Sequence, residues 1–511
     1  MSRGRLRFSV LLLLTLALSA PARAAEAVPG DLPQLFAHVE EYRLDNGLLF
    51  LLLPRPSAPQ VSARLLVKAG NADSPDGASG LAHMFEHMAF KGTTAIGTDD
   101  AAAEAALLDS VAVLGEALRR AVTATPPADS AAVAAAREAV VAAEARADAL
   151  ADPMDFFHLM ERFTTMYNAS TGKDYTIYDA SFPPSGLEAW ALLESERQQD
   201  PVYRQFYAEL EVVKEERRQR TDDNPEGAAW EKMQALAYGE HPYADPTVGY
   251  MAELETLTPG QAADFHARHY VPGNMVGALV GNFDPADARR LIKAYFGDIP
   301  AGPLPPPLPP PTIATDGPRR AVHRQGEERQ LIMAFSGVEP GSPERALADV
   351  MAELLARDRT SALVKRLDLE AGVARNVYAY PDGGCKRERG LFVIEVDVMP
   401  EHDNQEAEAL VWEELRRLQE QPVSAETLAA LARVMRKDFI FGLQRSEDIA
   451  ELLVKSEAGT GDWRNAYGRV ADYAEATPAS IRALARTLFT PERATVVHLE
   501  PADDDAKGGR P

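Results

Sequence analysis

A single cysteine, Cys385, stands among the 511 residues. No internal disulfide can form, and any bound metal must be held by nitrogen and oxygen. Long apolar runs are missing beyond the first two dozen residues, so no helix in the body of the chain can span a bilayer. Positive charge is scarce: 53 Lys and Arg against 77 Asp and Glu leave a formal net charge of −24. Nucleic-acid binders present basic faces, and this balance excludes that class. The acidity serves solubility first and attraction of basic substrates second.

The one apolar run lies at the start. "MSRGRLRFSVLLLLTLALSAPARA" has arginines at 3, 5 and 7, an apolar stretch and Ala22-Arg23-Ala24, the pattern of a secretory leader cut before Ala25. No cysteine follows it to carry a lipid. The expectation is an exported protein, in a bacterial periplasm, with no membrane insertion once residues 1–24 are removed.

Several landmarks organise the rest. "YRLDNGLLFLLLP" (42–54) has strand-like runs on both sides of Asn46-Gly47, a strong hairpin signal. "PAGPLPPPLPPPT" (300–312) is a stiff spacer and the obvious domain boundary. The segments flanking it repeat: "TPGQAADFHARHYVP" from Thr258 returns as "TPASIRALARTLFTP" from Thr477, and each runs into an apolar strand. Upstream, Ser74-Pro75 matches Ser342-Pro343 at an offset 49 residues larger, so the first copy carries an insertion. The insertion is the alanine-rich stretch 100–151, helical in period and broken by Pro126-Pro127 into two antiparallel arms. It is either a surface decoration or a docking arm.

These signals predict an α+β protein of two homologous domains, each an antiparallel sheet with helices packed on it, together forming half of a clam shell. The expected boundaries are a leader at 1–24, a first domain at 25–299 with the helical hairpin at 100–151, and a linker at 300–318. A second domain without metal ligands follows at 319–500, and a disordered tail at 501–511.

Chemistry concentrates in "SGLAHMFEHMAFKGT" (80–94). On a helix His83 and His87 share one face a turn apart and point at a common target, with Glu86 beside the second imidazole. Zinc takes this arrangement of two neutral imidazoles, and an adjacent carboxylate can remove a proton from a water attacking a carbonyl. Matching Thr93 to Thr360 in the second copy lays His83 on Val350, His87 on Leu354 and Glu86 on Glu353. The fold therefore does not itself require histidine there. For a third ligand, "DPVYRQFYAELEVVKEERRQR" (200–220) puts Glu209, Val213 and Glu216 on one face, but the pattern alone does not separate Glu215 from Glu216.

With "FKGT", "VVKEERR", "LDNGL" (44–48), "NASTGKDYTIY" (168–178), "HPYADPTVGY" (241–250) and "YVPGNM" (270–275), these residues resemble the M16 metallopeptidases of inverted zinc motif. That family includes pitrilysin, insulin-degrading enzyme and the mitochondrial processing peptidase. The resemblance implies one Zn2+ per chain on His83, His87 and Glu216, with Glu86 as general base. Glu209 is then a further acid of the catalytic set that steadies the site. It also implies that Asn168, Ala169, Ser170 and Thr171 lie on an edge strand that binds a peptide substrate by strand addition. Active members carry an arginine and, seven residues on, a tyrosine in a second homologous half; here those places hold Asp368 and Arg375, with Tyr378, Tyr380 and Arg366 nearby. A homologous partner subunit supplying the pair, or a homodimer, is expected.

The expected activity is that of a zinc metalloendopeptidase acting on extended peptides. The competing expectations are a non-catalytic peptide-binding subunit with a zinc site, active only beside a partner, and a zinc hydrolase of non-peptide bonds.

Overall fold

The computed structural model describes residues 35–125, 129–152, 154–313, 317–385 and 387–502. The expected leader at 1–24, the Pro126-Pro127 break and all of the tail beyond Ala502 lie outside them. No helix among the described residues is long and apolar enough to cross a membrane.

The first sheet has six strands: β1 (Glu40–Arg43), β2 (Leu49–Pro54), β3 (Val61–Val67), β4 (Met166–Thr171), β5 (Thr176–Phe182) and β6 (Met275–Gly281). Their order is β1-β2-β6-β3-β5-β4. The second has five: β7 (Arg319–Arg324), β8 (Arg329–Ser336), β9 (Ala374–Tyr380), β10 (Leu391–Val398) and β11 (Ala494–Glu500), ordered β7-β11-β8-β10-β9. Strand for strand, β2-β6-β3-β5-β4 corresponds to β7-β11-β8-β10-β9. Asn46-Gly47 turns β1 into an antiparallel partner of β2. The sheets are not purely antiparallel as expected: β2 pairs with β6, and β7 with β11, in parallel. A parallel pair needs a long crossover, and in each half the first strand and the last are separated by all the intervening helices.

Helix α1 spans Leu81–Met88, and the inserted arms are α2 (Ala101–Val122) and α3 (Ser130–Asp148). Further on come α4 (Leu187–Gln199), α5 (Phe206–Arg217), α6 (Pro225–Tyr238) and α7 (Pro259–His269). In the second half α8 is Glu344–Ala356, α9 Ser446–Thr460 and α10 Pro478–Leu488. The repeated Thr-Pro marks equivalent starts: Thr258 and Thr477 each cap a helix through a reciprocal side-chain box, with proline in the first turn.

The halves are interlocked. One face of the first sheet (Leu49, Leu51, Leu53, Leu66, Val276, Val280) packs on Ile449, Leu453 and Val454 of α9, which belongs to the second half of the chain. In return α6 of the first half lays Ala229, Met233 and Ala237 against Ile332, Ala334, Val393 and Val497 of the second sheet. Each sheet thus buries one face with a helix donated by the other half, so 300–318 is not what holds them together.

Arg387, in the loop between β9 and β10, closes the seam. Its guanidinium lies 3.1 Å from the buried Asp73 carboxylate and its N–H donates to Asp174 at 3.2 Å. Tyr243 donates to the other Asp174 oxygen at 2.5 Å. Removing the side chain leaves the buried Asp73 carboxylate without its cation, which costs about 3 kcal/mol, while Asp174 keeps the backbone N–H of residue 387 and the Tyr243 hydroxyl. Arg387→Ala is expected to lower the urea midpoint accordingly, whereas Arg290→Ala, at an exposed pair with Asp287, leaves it unchanged.

Candidate metal centre

The helix that carries the histidines starts at a forced position. Gly80 has φ +83°, and a Cβ there would sit 2.6 Å from the Val248 carbonyl oxygen. The apolar residues Leu81, Met84, Phe85 and Met88 anchor α1 in the core, leaving His83, Glu86 and His87 to face a cavity of about 720 Å3. Across it runs α5, whose Val213 is fully buried while Glu209 and Glu216, four residues before and three after, turn toward α1. Glu215 points away to solvent and pairs with Arg218 at 2.9 Å.

The ligand atoms of His83, His87 and Glu216 lie within 4.8 Å of one another. Nε2 of His83 is 3.5 Å, and Nε2 of His87 3.6 Å, from the same Glu216 oxygen, Oε2. Ligands at about 2.1 Å in a tetrahedral zinc shell stand about 3.4 Å apart. The spacing therefore suits three donors around one ion. The donor set is all nitrogen and oxygen, and Cys385 lies elsewhere, beside Tyr238 in the seam.

Each member of the set is held from behind. Glu209 Oε1 accepts the His87 Nδ1–H at 2.9 Å, which in the neutral ring fixes the tautomer whose Nε2 faces His83 and Glu216. Lys91 balances Glu209 at 2.5 Å. Arg220 reaches back 2.5 Å to Oε1 of Glu216, leaving Oε2 for the imidazoles. Arg220 lies in the π-helical turn over Arg218–Asp222 that continues α5. Thr171 donates its hydroxyl to Glu86 at 2.5 Å.

The electrostatics divide the groups. Burial, then the charge of His87, pushes His83 down to about 4, so it is a neutral imidazole. Burial opposes protonation of His87 too, but hydrogen bonds to Glu209 and Glu216 outweigh it and lift the ring to about 9. Burial would raise Glu209, yet its bonds from His87 and Lys91 carry it down to about 2. Glu86 is raised above the ordinary carboxylate range, chiefly by burial, against the Thr171 bond.

Asn168, Ala169, Ser170 and Thr171 sit on β4, the outer strand of the first sheet, along the rim of this cavity. Among the described residues β4 pairs only with β5, which leaves its other backbone edge open to a further strand. Thr171 itself is turned to Glu86. Asp368 and Arg375 are elsewhere, in the second half, where Arg375 is exposed on β9. Lys91 and Arg220 were missed by the sequence reading; Arg220 stands four residues after Glu216 and so near its face, whereas Lys91 lies in the loop beyond α1.

The inserted arms are tied into this site. Arg204, 1% exposed, takes Glu104 of α2 through two bonds and donates to the carbonyls of Lys91, Thr93 and Ile96, the loop that follows α1. Glu144 of α3 accepts the N–H groups of Tyr207 and Ala208 in the first turn of α5 at 2.9 and 3.2 Å. Gly115 of α2 admits the Tyr207 ring: a Cβ there would lie 2.0 Å from the phenol oxygen. The hairpin is thus a brace on α5 and on the loop that follows α1.

Comparison with known proteins points to one family. The profile of the Insulinase family (peptidase family M16) matches residues 49–109, which include both histidines and Glu86, and that of the peptidase M16 inactive domain matches 256–435. The chain is 24% identical over 480 residues to the zinc protease PqqE of Helicobacter pylori, covering 90% of this chain and 93% of that one. An uncharacterized zinc protease of Streptomyces coelicolor is 24% identical over 336 residues, 63% of this chain and 71% of the relative. In fold, a protease from Helicobacter pylori superposes with a TM-score of 0.74 at 21% identity, covering 91% of this chain and 99% of the other. The periplasmic protease PqqL of Escherichia coli gives 0.67 at 19% identity, with 95% of this chain lying on 49% of that one.

The brace makes a stability prediction. Glu104→Ala leaves the Arg204 guanidinium buried without its carboxylate and is expected to cost about 3 kcal/mol. Glu144→Ala removes an N-terminal cap and is expected to cost about 1 to 2 kcal/mol. Chemical denaturation of the two variants checks both, and equal midpoints with the unaltered chain would refute the bracing role.

Proposed function

We propose, from the premise that this chain belongs to the M16 peptidase family, that it is a zinc-dependent endopeptidase of extended peptides, exported to the periplasm. The observation that carries this reading is the convergence of His83, His87 and Glu216 from two helices beside Glu86, under the free edge of β4. One Zn2+ per chain, held by those three residues, would supply Lewis acidity toward the scissile carbonyl and acidify water.

The chain's own residues do the rest. β4 offers unpaired N–H and C=O groups to the backbone of an extended peptide and lays the bond to be cut over the cavity floor. Glu86 receives the proton of the attacking water and returns it to the leaving amine, a task suited to a carboxylate raised by burial. Thr171 fixes the carboxylate that does this. Glu209, neutralised by Lys91, holds His87 in the tautomer that ligates, and Arg220 keeps Glu216 turned inward.

A second reading is favoured by one observation: Asp368 and Arg375 occupy the places of the arginine and tyrosine that active relatives use, so this chain lacks that pair. A homologous partner subunit, or a second copy, would then complete the site, and the isolated chain would bind peptide and zinc without turnover.

Metal content and hydrolysis of a quenched-peptide library test both readings. The unaltered protein is expected to hold one zinc per chain and to cut. Glu86→Gln is expected to keep zinc and lose about 100-fold or more in kcat. Glu209→Gln is expected to weaken zinc affinity about 10- to 100-fold. A Glu86→Gln variant with full activity would sink the assignment; zinc present with no cutting by the unaltered chain moves the case to the partner reading.

A further inference from the structure

A second cavity, also of about 720 Å3, opens in the seam between the halves. It shares Arg220 with the metal-site cavity. The two also join along the chain: β4 ends at Thr171 on the first cavity, and Gly172 and Lys173 line the second. A strand laid along β4 therefore leads from one to the other. The far wall belongs to the second half, with Tyr380 at the end of β9 and Glu395 on β10.

Among the described residues, the other charged groups on this wall each have a hydrogen-bonding partner. Arg220 is taken by Glu216, and Lys173 donates to the Asp245 carbonyl. Glu231 is held by two bonds from Arg217, at 2.5 and 3.1 Å, and Asp382 by Arg345 at 2.8 Å. Glu395 has a hydrogen bond from Tyr380 but no cationic partner among the described residues. Burial lifts it to about 7 in spite of that bond, and the carboxylates of Asp397 and Glu226 act in the same direction. Beside it, Trp230 and Tyr380 stand edge to face, ring centroids 6.3 Å apart at 90°. An apolar occupant would bury the carboxylate without compensation, and an anion would find both cations engaged. A long cationic side chain satisfies the wall: its stem lies on the rings, its charge meets the carboxylate.

We infer that the seam cavity is a specificity subsite that takes an arginine or lysine side chain of the peptide laid on β4, with Glu395 as its counter-charge and Trp230 and Tyr380 as its walls. This rests on the peptidase reading above and adds the class of substrate to it.

Peptide binding to the full chain made inert by Glu86→Gln and loaded with zinc provides the test. A fluorescein-labelled, otherwise uncharged extended peptide is prepared with one arginine stepped through its positions, each beside its neutral citrulline counterpart, and anisotropy is read. At one register arginine is expected to bind about tenfold more tightly than citrulline. Adding Glu395→Gln, which keeps the shape and the Tyr380 partner, is expected to abolish that ratio while leaving the citrulline affinity unchanged. Trp230→Leu is expected to shrink the ratio several-fold and serves if the glutamine variant does not fold. Peptides that bind with arginine and citrulline alike at every register overturn the subsite and leave the peptide groove standing. Failure of every peptide to bind overturns the underlying reading, and the subsite with it.

Discussion

The registration of α5 against α1 is the constraint on which the site depends. The two helices come from points more than a hundred residues apart, yet Glu209 must meet one nitrogen of His87 while Glu216 approaches the other. A helix turns 100° per residue, so slipping α5 by one position would carry Glu216 off and bring exposed Glu215 toward the imidazoles. Packing alone gives a loose answer, since Phe206, Leu210 and Val213 are ordinary core residues. The directional contacts sharpen it. Arg204 is bonded at once to α2 and to the loop after α1, Glu144 seats the first turn of α5, and Arg217 fastens the last turn to Glu231 and the Gly249 carbonyl. Buried polar contacts of this kind have steep distance and angle dependence, and they fix register where apolar contacts tolerate sliding.

The same argument explains why the insertion is not ornamental. Two charged groups, Glu104 and Glu144, are 2% and 6% exposed, and burying them is costly unless each finds a defined partner. Both partners belong to the segments that frame the candidate metal centre. A long alanine-rich hairpin has little intrinsic reason to sit at one angle, so the two carboxylates set its position and, in turn, the position of what they hold.

Short-range patterns carried much of this into the sequence. The four-residue spacing of His83 and His87 needs only helical periodicity, and the repeated Thr-Pro needs only capping chemistry. Asn46-Gly47 and the alanine-rich arms were likewise legible, because turns and helices are local. What was hidden is non-local. Nothing in "SEDIAELLVKSEAGT" says that its apolar face covers the sheet of the other half, nor does "PEGAAWEKMQALAY" say so of its own. Amphipathicity tells that a face is buried, not against what. The parallel pairs escaped for the same reason, since strand direction depends on which distant strand arrives beside it. The assignment of Lys91 to Glu209 needed the tertiary approach of α5 to the loop beyond α1.

The repeat also shows how one chain came to keep one site. In the second half α8 occupies the place of α1, with Val350 1% exposed where His83 would stand and Glu353 turned to Arg357 instead of a cavity. Apolar residues there strengthen a core that histidines without an ion would weaken, so losing the donors costs the fold nothing. What the second half contributes is position. The Arg387 latch and the exchanged helices hold β9 and β10 at a fixed distance from β4, and the walls of the seam come from both. On the proposed reading, a peptide spanning the candidate metal centre and the seam would use contacts on the second half to hold its bond in place on the first, and binding energy gained away from the reacting atoms would become available for orientation at them.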